Sequence, residues 1–185
     1  IDYVLRDLTH SNGGFFSAED ADSLDEFGHS HEGHFYIWSK DEFIEALPTE
    51  LVAPALEWYE ITNEGNFEGA HIPSRLHHRG DVIRPPHIEQ AREILFNRRN
   101  LRARPLLDDK VLTEWNAMML ATLAEAAFVF DSPEWLQVAI RNGEFLIANL
   151  RTTSGSWLRS WQEHGNPQAR HHALAADLAQ LIDAF

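Results

Sequence analysis

The stretch RPLLDDKVLTEWN, residues 104–116, organises the predicted helices on either side of it. Pro105 should end the preceding helix, because a proline disfavours the helical conformation of the residue before it. Asp108, Asp109 and Lys110 follow, and a long apolar helix is predicted to start directly after them. An aspartate at this point is expected to cap that helix and to present a carboxylate where the first backbone N–H groups lack partners.

The apolar pattern on both sides of this stretch predicts further helices. Residues 113–130 give the strongest signal and are apolar on more than one face, which is typical of a helix buried on several sides. Pro133 is expected at the first turn of the next helix, after a short Asp131-Ser132 connection. The predicted helices are residues 1–8, 39–47, 48–59, 85–104, 113–130, 133–150 and 173–185.

Two segments have strand-like sequences and lie between these helices. Residues 34–38 are β-prone, and residues 157–161 alternate ahead of a turn at 165–167. Long helices in antiparallel pairs, joined by tight turns and by longer loops, predict an all-α fold. Its expected architecture is a partial α/α toroid with short β-hairpins in the loops. The whole chain, 1–185, is expected to be part of one such domain, because no helix cap precedes Ile1 or follows Phe185.

Composition limits the classes of function. The chain has 185 residues, 44% of them hydrophobic, with six tryptophans and no cysteine, which is typical of a folded domain without thiol chemistry. Residues 1–70 carry 16 Asp and Glu but only Arg6 and Lys40 as bases, which accounts for the net charge of −14. This acidity argues against nucleic acid as a partner. No signal peptide or membrane span is visible, so we expect no membrane partner and a cytoplasmic location.

A basic stretch at residues 92–110 contrasts with the acidic first part of the chain. It contains five arginines and Lys110. It either pairs with acidic groups or meets an anionic ligand, and the simpler interpretation is a solvated helix face.

Carboxylates on two predicted loops are the candidate catalytic groups. Sugar chemistry commonly requires one carboxylic acid and one carboxylate that acts as base or nucleophile. The candidates are Glu19, Asp20, Asp22, Asp108 and Asp109. The simpler interpretation is a helix cap at Asp109 and, for the other loop, carboxylates that order the backbone by hydrogen bonds.

Side chains near these carboxylates are the candidate groups for substrate binding. Aromatic rings can stack on the apolar face of a sugar, and polar groups can bind its hydroxyls. The candidates are Trp38, Phe67, Glu68, Lys110, Trp115 and Asn116. Ordinary core packing would also explain Trp115, and glycine-dependent turns would explain Phe67 and Glu68.

Histidines cluster at positions 29, 31 and 34, close to Glu32. Their spacing matches no strict zinc pattern, so no metal is predicted. No cofactor is predicted either.

Four segments together resemble a known family: residues 13–23, 32–38, 65–69 and 104–116. Their order and spacing are similar to those of the YyaL-type, spermatogenesis-associated thioredoxin-domain family. The resemblance implies a thioredoxin-like domain followed by a six-hairpin α/α toroid, similar to those of glycosidases and N-acylglucosamine 2-epimerases. It implies that this chain is about half of the toroid, without the thioredoxin-like part. Glu114 and Ala117 depart from the family pattern, where a small hydroxyl residue and a glycine are expected.

Two functions follow as hypotheses. The first is a sugar-active domain of epimerase or glycosidase type that acts on a small carbohydrate by carboxylate acid/base chemistry. The second is a non-catalytic module that binds a ligand or serves as a scaffold beside a thioredoxin-like domain. In both hypotheses the apolar faces near the two chain ends pack on further parts of the full-length protein.

Overall fold

The computed structural model describes residues 1–80, 82–163 and 167–185. These residues form helices α1 (Asp2–Asp7), α2 (Lys40–Glu45), α3 (Thr49–Trp58), α4 (Pro86–Arg99), α5 (Thr113–Val129), α6 (Pro133–Leu150) and α7 (Ala175–Ala184). They also form short strands β1 (Ala18–Glu19), β2 (Asp22–Leu24), β3 (Ser30–Glu32), β4 (Leu107–Asp108), β5 (Val111–Leu112), β6 (Leu158–Gln162) and β7 (Gln168–His172).

The fold is mostly helical, as predicted, but an all-α class is too narrow for it. About 45% of the described residues are helical and 17% are in strands or isolated β-bridges. The strands form three small antiparallel sheets, ordered β1–β4, β2–β3 and β5–β6–β7. The β1–β4 and β5–β6 pairs join segments far apart in the chain, and such pairing leaves no local periodicity in the sequence.

The chain divides into two compact units. Unit 1 comprises Ile1–Glu19 and Leu107–Phe185, and unit 2 comprises Asp20–Leu106. Membership of both units in one toroid domain stays a prediction.

Unit 1 is built around α5, which packs against α6 and α7. The side chains of Leu123, Leu146 and Leu150 are fully buried between these helices. The predicted bounds of α5 and α6 are confirmed to within one residue, and Ser132 accepts a hydrogen bond from the N–H of Trp135 at the start of α6. Truncating one such leucine to alanine would cost about 2–5 kcal/mol, because a cavity replaces packed atoms.

A glycine turn before β1 is fixed to the helices of unit 1 by two buried asparagines. Gly13 has φ +103°, and a Cβ there would lie 2.8 Å from the carbonyl oxygen of Arg141. The carbonyl of Gly13 accepts a hydrogen bond from Asn142, which also donates to Asn116. The turn therefore requires a glycine for both its backbone conformation and its close approach to α6.

The first turn of α5 is capped by a residue from the last helix, and not by Asp109. Leu112 occupies the N-cap position, and its side chain makes no cap hydrogen bond. One oxygen of the fully buried Asp177 carboxylate accepts the N–H of Glu114 at 3.1 Å, and the other accepts the N–H of Leu174 and a hydrogen bond from Arg159. The predicted cap at Asp109 is wrong, because β5 separates that residue from the helix.

Unit 2 contains α2, α3 and α4. Their apolar faces meet in a core that includes Phe43, Leu51, Ala55 and Ala91. Ser39 caps α2 by accepting the N–H of Glu42, close to the predicted start of this helix. This core holds the three helices together, and the loops of the unit connect them.

Three local predictions in unit 2 need correction. Helix α4 ends at Arg99, six residues before the proline that was expected to end it. Residues 33–36 form a turn instead of a strand, and Trp38 makes only an isolated bridge to His71. The polar stretch 24–33, for which no helix or strand was predicted, contains β3 and the connection of the β2–β3 hairpin.

The strand prediction at 157–161 is confirmed by the β6–β7 hairpin of unit 1. Part of its predicted turn, residues 165–166, lies outside the described residues. Within the part of the chain that the structure describes, no helix has the length and apolar character needed to cross a membrane.

Candidate functional site

Two of the predicted catalytic carboxylates lie on paired strands of unit 1. Ala18 lies opposite Asp108 and Glu19 lies opposite Leu107 in the β1–β4 pair. Because successive side chains of a strand point to opposite faces, Glu19 and Asp108 are on different faces of this pair. The Glu19 carboxylate accepts a hydrogen bond from the Tyr3 hydroxyl at 3.0 Å.

The neighbouring charged groups in unit 1 have partners within the same loop or sheet. The Lys110 ammonium lies 2.7 Å from Asp108 Oδ1. Asp109 Oδ1 accepts a hydrogen bond of 2.5 Å from the side chain of Gln162 on β6. These contacts explain the positions of Asp108, Asp109 and Lys110 without a ligand.

The remaining candidate carboxylates belong to unit 2. Asp20 Oδ1 accepts the N–H of Asp22 at 3.2 Å, and Asp22 Oδ2 accepts the Ser30 hydroxyl at 3.3 Å. Within each unit, the predicted carboxylates therefore order a turn or a strand pair. Glu19, Asp108 and Asp109 are in one unit, and the other two are in the second.

The predicted binding residues of unit 1 differ in exposure. Trp115 is 51% exposed on α5, so core packing does not account for it. Asn116 is buried, and its amide bonds both the N–H and the C=O of Phe15, and also the carbonyl of Leu112. Asn116 thus holds the loop before β1 in place.

The predicted binding residues of unit 2 are equally varied. Trp38 is only 3% exposed and belongs to the core of the unit. Phe67 is half-buried beside Gly33, and Glu68 is exposed with a positive φ of 48°. None of these three side chains lines the cleft described next.

A cleft of about 680 Å³ opens in unit 2 between the β2–β3 hairpin, the start of α2 and the segment after α4. This volume lies within the usual range for small-molecule sites. Its wall combines carboxylates, a guanidinium, an imidazole and an aromatic ring. The side chains concerned are Asp25, Glu26, Phe27, His34, Glu42 and Arg102.

Arg102 shapes one wall of this cleft. Its Nη1 donates to the carbonyls of His34, Phe35 and Ile37 at 3.1, 2.9 and 2.7 Å. Its Nη2 lies 2.8 Å from Glu42 Oε1, and its guanidinium stacks 4.4 Å from the centre of the Trp38 ring. The side chain is only 14% exposed, so the predicted solvated helix face does not describe it.

The opposite wall carries a stable negative charge at Asp25. Burial acts to raise the pKa of this carboxyl, but hydrogen bonds from the N–H groups of His29 and Phe27 and from the His31 ring outweigh it. The pKa falls from 3.8 to about 2. Asp25 is therefore ionised at neutral pH and can accept hydrogen bonds from a polar ligand.

Sequence reasoning missed the residues of this cleft. Asp25, Glu26 and Phe27 lie in a polar stretch for which no helix or strand was predicted, and Glu42 was assigned only to a predicted helix. The local feature that indicates a binding site is the sequence of residues 25–27, in which two acidic residues precede an aromatic one. Its meeting with Arg102 depends on a chain separation of more than 70 residues, which composition does not reveal.

Comparison with known proteins gives relatives whose names state no activity. The chain is 28% identical to an uncharacterized protein of Caenorhabditis elegans over 215 aligned positions, covering 98% of this chain and 29% of that protein. It is 28% identical to spermatogenesis-associated protein 20 of Homo sapiens, covering 90% of this chain and 26% of that protein. The Mus musculus protein of the same name is 27% identical, over 86% of this chain and 24% of that protein.

The chain thus spans about a quarter of the length of the curated relatives that it matches. The similarity to spermatogenesis-associated protein 20 agrees with that part of the resemblance noted in the sequence. No protein-family model matches the chain. The thioredoxin-like and glycosidase-like parts of the resemblance stay predictions.

Proposed function

We propose that this chain binds a small carbohydrate in the cleft of unit 2, as part of a longer sugar-active protein. The observation that carries the proposal is the composition of the cleft wall. Carboxylates and the Arg102 guanidinium line a space of about 680 Å³ that also borders the Phe27 ring. Sugars have hydroxyl edges that hydrogen-bond to charged groups and an apolar C–H face that packs on aromatic rings.

Phe27 is the side chain that best suits a test of this proposal. It is 76% exposed, so its removal should leave the core of unit 2 intact. Calorimetric titration of the natural full-length protein with neutral and acidic mono- and disaccharides is the measurement. Phe27→Ala should weaken binding by about tenfold, which corresponds to roughly 1.4 kcal/mol for a lost stacking partner.

Phe128→Ala provides the matched control, because Phe128 is 89% exposed on α5 in unit 1. We expect this variant to bind sugar like the unsubstituted protein. Absence of binding to every sugar in the panel, or equal affinity of both variants, would overturn the assignment of the cleft.

A separate, catalytic proposal assigns acid/base roles to the predicted carboxylates, none of which lines the cleft, within an epimerase-like or glycosidase-like toroid. It is supported by the resemblance and by the helical pairs α5–α6 and α3–α4. Asp109→Asn and Asp20→Asn should then each abolish epimerisation or hydrolysis while leaving the thermal midpoint nearly unchanged. Loss of stability without any effect on a bound sugar would remove the acid/base role.

A non-catalytic binding or scaffold module is the second candidate function. The observation that favours it is that each predicted catalytic carboxylate already has a hydrogen-bond or ion-pair partner within its own unit. Sugar binding without turnover would support this candidate, and detectable turnover would eliminate it.

The proposal includes packing of unit 1 on further segments of the full-length protein. An apolar groove of about 530 Å³ lies between α6 and α7, and its wall includes Trp157, Leu178, Ile182 and Phe185. The 185-residue chain alone should self-associate through this exposed surface. Sedimentation as a monomer at high concentration would contradict that part of the proposal.

A further inference from the structure

Three potential metal ligands meet in the connection of the β2–β3 hairpin. Asp25 follows β2 directly, His29 ends the connection, and His31 is the middle residue of β3. Each side chain offers one ligand atom, and these atoms lie within 4.8 Å of one another. Sequence spacing alone did not indicate this group, because the aspartate lies outside the histidine-rich segment.

Two of the three separations between the ligand atoms are close to those around a tetrahedral ion. Asp25 Oδ2 lies 3.1 Å from His31 Nε2 and 3.4 Å from His29 Nδ1. Ligands bound to zinc at about 2.0–2.1 Å in a tetrahedral arrangement are about 3.3–3.4 Å apart. The Asp25 oxygen is therefore spaced from both nitrogens almost as it would be around a shared ion.

The hairpin holds the Asp25 carboxylate in a fixed orientation. Its Oδ1 accepts the N–H groups of Phe27 and His29 at 2.9 and 2.8 Å, which leaves Oδ2 directed at the two imidazoles. The backbone of Asp25 also pairs with His29 and Gly28 at 2.9 and 3.1 Å. Hydrogen bonds that orient a ligating carboxylate are a common feature of protein metal sites.

Histidine exposure distinguishes this group from an ordinary buried ion pair. The His29 and His31 side chains are 72% and 55% exposed, whereas Asp25 is 15% exposed. Both rings contact the carboxylate oxygen and are still open to solvent, so an ion from solution can reach the atoms that face each other. A bound ion would account for their convergence and would keep an open position for water or a ligand.

We propose that Asp25, His29 and His31 bind a zinc ion at the rim of the unit 2 cleft. Imidazole nitrogens together with one carboxylate suit zinc and other late first-row metals, whereas magnesium and calcium prefer oxygen ligands. The His34 ring lies 6.0 Å from the His31 ring, centre to centre. The proposal is independent of any sugar in the cleft.

Calorimetric titration of the metal-stripped natural full-length protein with zinc chloride tests the site. We expect saturable zinc binding that His29→Gln and His31→Gln each weaken by at least about tenfold, since each removes one ligand of three. His87→Gln, a substitution of an exposed histidine at the start of α4, should leave the affinity unchanged. Far-UV circular dichroism should be the same for all three variants.

Cobalt(II) provides a second readout. Its visible absorption should report nitrogen coordination in the unsubstituted protein and in His87→Gln, and should diminish in His29→Gln and His31→Gln. Asp25→Asn retains an oxygen that accepts the loop N–H groups, and it should reduce zinc affinity without unfolding the hairpin. Equal zinc affinity across these variants, or no binding to the unsubstituted protein, would overturn the proposal.

Discussion

The side-chain amide of Asn116 hydrogen-bonds both the N–H and the C=O of Phe15, at 2.7 and 2.9 Å. The Asn116 side chain accepts and donates one hydrogen bond each, as the backbone of a neighbouring strand residue would. It fixes residues 13–15 against α5 although the two segments are about 100 residues apart in the chain. A side chain predicted to bind substrate thus also organises the core of unit 1.

Replacement of Asn116 by alanine should be strongly destabilising. It would leave the buried polar groups of Phe15 without a partner, and we expect a loss of about 3 kcal/mol in the free energy of unfolding. Urea denaturation is the measurement. Asn149→Ala is the matched control, because Asn149 makes only one local hydrogen bond within α6; a similar loss in both variants would contradict the bridging role.

Gly13→Ala should destabilise more than Gly28→Ala. Both glycines have positive φ, but the Cβ at Gly13 would lie 2.8 Å from the Arg141 carbonyl, whereas the Cβ at Gly28 would meet nothing within 4 Å. The strain of a positive φ costs about 1 kcal/mol at either site, so the excess loss reports the clash. Thermal unfolding of both variants measures the difference in stability. Equal midpoints would show that the turn at Gly13 shifts enough to accept the added methyl group.

The Asp177 carboxylate should contribute several interactions at once. Asp177→Asn removes its charge next to Arg159 and should cost about 3 kcal/mol, because a buried ion pair is broken. Asp183→Asn, an exposed substitution on the same helix, should change stability by about 0.5 kcal/mol or less. Chemical denaturation of the two variants measures the difference in stability. Near-equal stability would contradict the role of Asp177 as the acceptor for the N–H groups of both Glu114 and Leu174.

Stability at acid pH should depend on Glu60. Burial acts to raise the pKa of this carboxyl. Hydrogen bonds from the His77 ring and from the N–H groups of His77 and His78 outweigh this effect, and the pKa falls from 4.5 to about 2. A lowered folded-state pKa stabilises the protein above the unfolded value, and this contribution disappears as the pH falls from about 4.5 to about 2.

Glu60→Gln should therefore reduce the slope of unfolding free energy against pH in that interval. Denaturant titrations at a series of pH values measure the slope. Glu57→Gln on α3 serves as the control, since Glu57 is exposed. An unchanged slope for Glu60→Gln would mean that this carboxylate is not held by its histidine neighbours.

Local sequence signals predicted the helices of this chain well where they carried caps and long apolar patterns. Ser39 and Ser132 cap helices through their own side chains, and helices were predicted to start at residues 39 and 133. The cap of α5 was missed because it comes from Asp177, 63 residues further along the chain. Short-range chemistry had suggested the nearby Asp109 instead.

The candidate site was harder to predict than the helices for the same reason. In the sequence, Arg102 is one of several arginines in a basic stretch. In the structure, its guanidinium donates hydrogen bonds to three carbonyls and to Glu42. Asp25 reads as a loop residue, yet backbone hydrogen bonds direct one of its oxygens at two imidazoles. Tertiary contacts give these side chains their roles, and no single segment contains them.

The shared cap at Asp177 links the opening of two helices. When α7 detaches, Asp177 withdraws, and the amide of Glu114 at the start of α5 loses its acceptor at the same moment. Hydrogen–deuterium exchange at that amide should therefore follow the rate of α7, although more than 60 residues separate them. We therefore expect the first turn of α5 to open together with α7.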